Sequence, residues 1–197
     1  MSHEQVSRWL LEALRAIESI EVQAVAQAAE ALATVQRCGG TVFVVGNGGS
    51  ATTASHLACD FQKGAQADGR HTRAISLSDN VALMTAWGND ASFEQIFAGQ
   101  LKALARPEDA LVVISVSGSS PNVLAALDVA REKGLITVGL LGRDGGLALE
   151  RVDYPIVVAS EDYGWVESAH LALGHVLTYF LRSKASEMSG QLPKEVR

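Results

Sequence analysis

Residues 41–63 read TVFVVGNGGSATTASHLACDFQK, and this stretch predicts a strand, a tight turn and a helix. The run from Thr41 to Val45 is rich in β-branched residues, the glycine-rich turn GNGG follows, and Ser50 is the expected N-cap of the helix. Glycines let backbone N–H groups surround an anion, and the N-terminus of a helix adds partial positive charge. The stretch therefore predicts an anion site, most often one for phosphate.

The spacing of these glycines narrows the kind of ligand. It matches neither the GxxxxGK[ST] motif of nucleotide triphosphate sites nor the GxGxxG motif of dinucleotide sites. Further along the same predicted helix, His56 and Asp60 are four residues apart and therefore share a face. One element thus carries both a predicted phosphate cradle and an ionisable pair.

The composition of the whole chain is that of one globular domain. The chain has 197 residues, of which 48% are hydrophobic and 19% charged, which is enough for a sizeable core. The formal net charge of −6 and the lack of a Lys/Arg run argue against nucleic acid or an anionic membrane as partner. No signal peptide or membrane span is recognisable, and Cys38 and Cys59 are expected to be buried or half-buried free thiols, so we expect a cytoplasmic protein.

The first 38 residues are predicted to be helical. Residues 3–37 contain no Pro or Gly and carry apolar residues at helical spacing, which indicates one long helix or a hairpin broken near Glu18 to Ile20. The apolar surface of these helices is wider than is needed to pack against one small domain. We expect it to pack against another subunit, with packing on the protein's own sheet as the open alternative.

The rest of the chain alternates strands and helices, which predicts an α/β fold with a doubly wound, mostly parallel, five-stranded sheet flanked by helices. We predict an α/β core over residues 39–185 and a polar tail over 186–197. Asn89 and Asp90 are expected to interrupt two helices, and Gly134 to close a third. The predicted strands are 41–45, 73–77, 109–116, 136–141 and 154–158; the predicted helices after the glycine turn are 80–87, 92–104, 121–133 and 164–185.

A second polar turn, SVSGSS at residues 115–120, lies between a predicted buried strand and a helix. Its hydroxyls and the helix N-terminus can donate several hydrogen bonds to phosphate oxygens without a cationic side chain. A single turn of this kind is usually only a capped loop. Two such turns at the carboxyl ends of parallel strands point to a ligand crevice.

The final predicted helix carries Glu167, His170 and His175 on an apolar background. His175 lies eight residues after Glu167, about 80° further round the helix, so both can face one cleft. Each histidine alone is ordinarily a core or interface residue. Together with His56 and Asp60, this set suits either a divalent metal such as Zn²⁺ or a division of acid and base roles, and spacing leaves both open.

Several ordered motifs resemble those of the sugar isomerase (SIS) domain family, and within it the phosphoheptose isomerases. They are GNGGSA followed by HLACD, WGND, ISVSGSSPNV, REKG, GRDGG, and the Glu and His eight residues apart in the last helix. The resemblance covers roughly residues 35–182 and implies the flavodoxin-like, three-layer SIS fold. It also implies a homotetramer with active sites at subunit interfaces, which converts sedoheptulose 7-phosphate to D-glycero-D-manno-heptose 7-phosphate through an enediol or enediolate, commonly with zinc.

The resemblance also implies roles for individual residues. The metal and catalytic positions fall on His56, Asp60, Glu167 and His175, where Asp60 or Glu167 would remove the proton and His175 would transfer protons between the oxygens. The implied contacts to the sugar are Asn47, Gly48, Gly49, Ser50, Asn89, Asp90 and Glu167, and those to the phosphate are Ser115, Val116, Ser117 and Ser120.

The chain departs from the family's usual pattern at three of these positions or beside them. Asp60 stands where the family usually has Glu, Glu167 where it usually has Gln, and Gly164 where it usually has Asp. The lost methylene retracts the Asp60 carboxylate by about 1.5 Å, and the added charge of Glu167 favours a bound cation.

Two other functions remain open at this stage. One is a non-catalytic SIS protein that binds a sugar phosphate or associates with DnaA, and the other is an isomerase of a different sugar phosphate. The presence of both Glu167 and His175 favours an enzyme, because buried ionisable groups cost several kcal/mol to place without a use.

Overall fold

The computed structural model describes residues 2–67 and 71–188, and it begins with two helices. Helix α1 spans His3–Glu18 and α2 spans Val22–Arg37, so the N-terminal region is a helical hairpin broken where the sequence predicted. Ser2 caps α1 in a reciprocal capping box with Gln5. Helix α1 packs on the last helix of the chain, and α2 packs on the sheet.

Five parallel strands form one sheet, which confirms the predicted fold class. They are β1 Thr41–Gly46, β2 Arg73–Ser76, β3 Ala110–Ser115, β4 Ile136–Gly142 and β5 Tyr154–Val158. Their order is β2-β1-β3-β4-β5, with Gly46 opposite Ile114. The order reverses between β1 and β3, and ligands of doubly wound folds bind at such a switch point, beyond the carboxyl ends of the strands.

Helices cover both faces of this sheet. One face packs against α2, α3 (Gly49–Cys59) and α7 (Tyr163–Met188), and the other against α5 (Gln95–Leu104) and α6 (Pro121–Lys133). Because successive strand residues point to opposite faces, Val42 and Val44 enter the first core while Phe43 and Val45 enter the second. A π-helical turn at Asp60–Gly64 continues α3, helix α4 spans Val81–Asp90, and a 3₁₀ turn spans Gly146–Ala148.

Three local predictions need correction. Ser50 is not the N-cap of α3, because the helix already starts at Gly49 and Gly48, with φ of +54°, is the cap. Asn89 and Asp90 do not interrupt two helices but form the last two residues of α4, and α5 begins only at Gln95. Helix α7 continues to Met188 rather than ending at residue 185. Residues 189–197 of the predicted tail lie outside the described residues. The remaining prediction of this kind, a left-handed Gly134 after α6, is confirmed.

The two cysteines were predicted to be at least half-buried, and this was wrong. Both are free and exposed: Cys38 caps the C-terminus of α2, and Cys59 is the last residue of α3. Within the described ranges, no helix is both long and apolar enough to cross a membrane.

Candidate active site

Two loops meet at the switch point between β1 and β3. The serine loop, residues 115–120, is braced by its own hydroxyls: Ser115 Oγ accepts from Gly118 N at 3.0 Å, and Ser117 Oγ accepts from Ser119 N at 3.3 Å. Gly118 has a φ of +59°, and a side chain there would collide with the Gly145 backbone. The loop is therefore fixed in one conformation with its hydroxyls near the helix N-terminus of α6.

A small cavity, which we call the serine-loop pocket, lies between the two loops and the start of α7. Its volume is about 110 Å³. The structure brings most of the predicted phosphate and sugar contacts together here, and it adds Tyr163, which the sequence did not single out. The lining residues are Asn47, Ser50, Ile114, Ser115, Val116, Ser117, Ser120, Tyr163 and Glu167.

Glu167 is the carboxylate of this pocket, and it packs against the first residue of α3. An added Cβ at Gly49 would lie 2.6 Å from Glu167 Cδ, so any other residue there would displace the carboxylate from its present position. The Glu167 carboxylate thus occupies the space beside the first residue of α3.

A second polar group, which we call the histidine cluster, joins α3 to α7. His56 Nε2 lies 3.2 Å from Asp60 Oδ2 and 3.3 Å from His175 Nε2, and His175 Nε2 lies 3.7 Å from Asp60 Oδ2. The three ligand atoms lie within 4.8 Å of one another. About half of each imidazole is exposed, at 49% for His56 and 56% for His175.

The histidine cluster fits a divalent metal. Zinc holds nitrogen and oxygen ligands at about 2.0–2.2 Å in a tetrahedron, which places neighbouring ligand atoms about 3.3–3.5 Å apart. The observed separations of 3.2, 3.3 and 3.7 Å match that spacing. Three atoms with lone pairs this close also need a cation or protons between them, because they otherwise repel one another.

Glu167 and His175 belong to different groups in the structure, although the sequence placed them in one set: Glu167 lines the serine-loop pocket and His175 is part of the histidine cluster. Eight helical residues advance about 12 Å along the axis, so a similar angular position does not bring two side chains together. Glu167 is not a member of the cluster of ligand atoms formed by the described residues His56, Asp60 and His175.

His170 lies between these two residues on α7 and is fully buried. Neither ring nitrogen has a well-formed hydrogen bond to a described residue. Burial lowers the pKa of His170 to about 4, and the backbone of Leu141 opposes this only weakly. The imidazole is therefore neutral at pH 7 and belongs to the core.

Asn89 and Asp90 were predicted to contact the sugar, yet they are not on the serine-loop pocket. They lie at the exposed end of α4, where Asn89 Nδ2 donates to Asp90 Oδ1 at 2.8 Å. Gly48 and Gly49 shape the glycine turn without lining the pocket. The roles assigned to these four residues remain predictions.

Comparison with known proteins identifies the family. The SIS domain family matches residues 8–142. Phosphoheptose isomerase from Geotalea daltonii is 44% identical over 160 residues, which cover 81% of this chain and 83% of that relative. The chain belongs to the phosphoheptose isomerase family of SIS-domain proteins.

Further members support the same assignment. Phosphoheptose isomerase from Trichlorobacter lovleyi is 43% identical over 153 residues, which cover 78% of each chain. The solved structure of phosphoheptose isomerase from Neisseria gonorrhoeae superposes with a TM-score of 0.84 at 33% identity, and the match covers 91% of this chain and 98% of that one. The predicted family and enzyme class are confirmed, and a non-catalytic SIS protein is not favoured.

Two residues of the site were not predicted from the sequence as site residues. Tyr163 is the first residue of α7, and its ring lies 5.3 Å from the Arg143 guanidinium carbon. Asn122 follows the serine loop and pairs with Asn47 across 75 residues of sequence. No local pattern distinguishes either one, because a contact between loops that are distant in sequence leaves no spacing to detect.

Proposed function

We propose that this protein interconverts D-sedoheptulose 7-phosphate and D-glycero-D-manno-heptose 7-phosphate through an enediol or enediolate. The observation that supports it best is that a carboxylate, Glu167, lines the same pocket as the serine loop. An aldose–ketose isomerase needs a base beside the reacting carbons and a separate site that holds the phosphate.

The serine loop is the proposed phosphate site. Ser115, Ser117 and Ser120 line the pocket, and α6 begins directly after the loop at Pro121. Hydroxyls and a helix N-terminus bind phosphate without a lysine or arginine. The α3 N-terminus is the less suitable phosphate site, because Glu167 already packs against it and two anions would repel each other.

Glu167 is the proposed base that takes the proton from C1 of the ketose and delivers it to C2. It lines the pocket, whereas Asp60 Oδ2 is engaged with two imidazoles at 3.2 and 3.7 Å. The competing assignment has Asp60 as the base and Glu167 as a fourth metal ligand. The family's usual Gln at the position of Glu167 favours that assignment, because an amide cannot act as a base.

The histidine cluster is the proposed zinc site, held by His56, Asp60 and His175. A divalent ion bound there would polarise the substrate carbonyl and stabilise the negative charge of the enediolate, and the hydroxyl proton on C1 would pass to the oxygen on C2 through solvent. Without the ion, His175 would transfer that proton. The serine loop and Glu167 meanwhile keep the substrate oriented and move its carbon-bound proton.

We further propose a cytoplasmic homotetramer whose active sites lie at subunit interfaces. A pocket of about 110 Å³ is smaller than the roughly 300–1,000 Å³ usual for ligand sites, and the histidines are half exposed. A second subunit would enlarge the pocket and cover the cluster, and Asn89 and Asp90 would then serve a neighbour's site. The exposed apolar side chains of α1 supply a contact surface: Val6, Trp9, Leu10, Leu11, Leu14 and Ile17.

The test is turnover of sedoheptulose 7-phosphate in D₂O, followed by NMR, with metal-stripped and zinc-loaded protein. We expect formation of D-glycero-D-manno-heptose 7-phosphate, faster with zinc, and solvent deuterium at the carbon that receives the proton, because a carboxylate base exchanges its proton with solvent. No turnover with either preparation would contradict the proposed reaction. Product without any deuterium would contradict a solvent-exchanging enediol route.

A further inference from the structure

A reciprocal pair of side-chain amides joins the glycine turn to the serine-loop side of the pocket. Asn47 Nδ2 donates to Asn122 Oδ1 at 2.9 Å, and Asn122 Nδ2 donates to Asn47 Oδ1 at 2.8 Å. Asn122 is only 2% exposed, whereas Asn47 is half-buried and lines the pocket. One buried amide thus supports another that faces the ligand space.

A third hydrogen bond determines the orientation of both side-chain amides. The two mutual hydrogen bonds alone leave the orientation of the amides ambiguous. Rotating both side-chain amides by 180° exchanges every donor for an acceptor and preserves the two bonds. The Val123 backbone N–H, which is shared with the Ser120 carbonyl, also donates to Asn122 Oδ1 at 3.0 Å. If Asn122 were turned over, its NH₂ group would face this N–H at 3.0 Å, and two donors would repel each other. The Oδ1 orientation is therefore favoured for Asn122, and Asn122 in turn orients Asn47.

The consequence for Asn47 follows from counting its hydrogen-bonding groups. A primary amide offers two N–H donors and two lone pairs on its oxygen. Asn122 occupies one donor and one lone pair of Asn47, which leaves one of each for a ligand in the pocket. A polyhydroxylated substrate offers hydroxyls, which can both accept and donate, as partners for this remaining pair.

We infer that Asn122 is a positioning residue, which never touches the substrate but sets the orientation in which Asn47 meets a sugar phosphate. The inference rests on the proposed function for the identity of that ligand. The alternative is that the amide pair only braces two loops, in which case the direction of the amide hydrogen bonds has no effect on the substrate.

Asn122→Asp distinguishes these possibilities because the two side chains have the same shape. The ionised carboxylate still accepts from Val123 N–H and Asn47 Nδ2, but it cannot donate to Asn47 Oδ1, so two oxygens face each other. We expect the KM for sedoheptulose 7-phosphate to rise about tenfold at pH 8 with a smaller change in kcat. A protonated carboxyl group regains one O–H donor, and burial raises the pKa of an aspartate.

The decisive readout is therefore the ratio of variant to wild-type kcat/KM between pH 8 and pH 5.5. We expect the Asn122→Asp defect to shrink as the pH falls, while Asn122→Ala shows a defect of constant size. A ratio that is flat with pH for both variants, and that follows their loss of melting temperature, would overturn the inference.

A double-mutant cycle provides the second test. If Asn122 acts through Asn47, then Asn122→Ala should add little to the KM defect of Asn47→Ala; fully additive defects would contradict this.

Failure of the proposed function has a different signature, because the wild-type protein itself would not turn over the sugar phosphate. In that case the side-chain NH₂ signals of Asn47 still test the inference by NMR. These NH₂ protons should exchange slowly with solvent in the wild type and rapidly in Asn122→Ala. Equal exchange rates would overturn the inference that Asn122 positions Asn47.

Discussion

The serine-loop pocket and the histidine cluster are built in opposite ways, although α7 contributes to both. The pocket is made of loop backbone, hydroxyls and amides that hold one another, as in the bonds Gly118 N to Ser115 Oγ and Asn47 to Asn122. The cluster is three ionisable side chains from two helices, half exposed and bonded mainly to each other. The polar groups of the pocket hold one another without a ligand, whereas the three ligand atoms of the cluster need a cation or protons between them.

This difference separates the two tasks of an aldose–ketose isomerase. In the proposed mechanism the pocket would fix the phosphate and the base, so substrate binding would cost little reorganisation. A cluster of lone-pair atoms attracts a metal and changes its protonation when that metal leaves. Substitutions in the pocket should therefore alter turnover without changing metal affinity, and substitutions in the cluster should alter both.

The largest effect is expected from His175→Ala, which removes one of the three ligands of the cluster. Turnover should fall about a thousandfold, within the range lost with an acid–base or metal-binding group, and zinc affinity should fall with it. Isothermal titration with zinc and a turnover assay on the same preparation measure both.

The matched control is His71→Ala, which removes an exposed histidine outside the cluster. It should leave turnover and zinc affinity unchanged. Equal effects of the two substitutions would mean that the cluster has no special role.

The next largest effect concerns stability and involves His170, the buried histidine between the two sites. Its pKa is about 4 in the folded state against 6.5 as its ordinary value. Between pH 6.5 and 4, His170 binds a proton in the unfolded chain but remains neutral in the folded protein. The free energy of unfolding should therefore fall by about 3 kcal/mol between pH 6.5 and 4, and this contribution should level off below pH 4.

Urea unfolding at several pH values, compared with His170→Leu, isolates this contribution. The variant should lose much of the acid sensitivity between pH 6.5 and 4 while its zinc affinity stays near that of the wild type. A pH slope equal to that of the wild type would show that His170 is not held neutral in the core.

A smaller effect is expected from Gly49→Ala, because the new methyl group would push the Glu167 carboxylate out of place. A shift of about 1 Å at a catalytic group can cost up to about 100-fold, and we expect a loss of tenfold to thirtyfold in kcat with unchanged zinc affinity. In a Glu167→Gln background the same change should add almost nothing. A full additional loss in that background would mean that Gly49 acts on some other group.

The sequence predicted the parts of the fold that depend on local order. The strand–turn–helix around GNGG, the serine loop and the alternation of strands and helices all follow from residues close together in the chain. The strand order, and with it the switch point between β1 and β3, comes from the structure. The N-cap was wrong because Gly48 adopts a φ of +54° and starts the helix without a side-chain cap.

The candidate site was predicted as a set of residues but not as an arrangement. The positions of Glu167 and His175 on α7 gave a direction for each side chain. They did not show that Glu167 lines the serine-loop pocket while His175 joins the histidine cluster. The pairing of Asn47 with Asn122 is equally invisible in sequence. It depends on how two loops meet at the sheet edge, which only the folded structure specifies.

The most direct test of this division of roles is Glu167→Gln, measured for turnover and zinc affinity beside Asp60→Asn. If Glu167 is the base of the serine-loop pocket, its amide variant should lose about 100-fold in kcat and keep its zinc affinity within about threefold, while Asp60→Asn loses zinc affinity about tenfold or more. Wild-type turnover in Glu167→Gln, or a tenfold loss of its zinc affinity, would contradict the account and place Glu167 on the metal with Asp60 as the base.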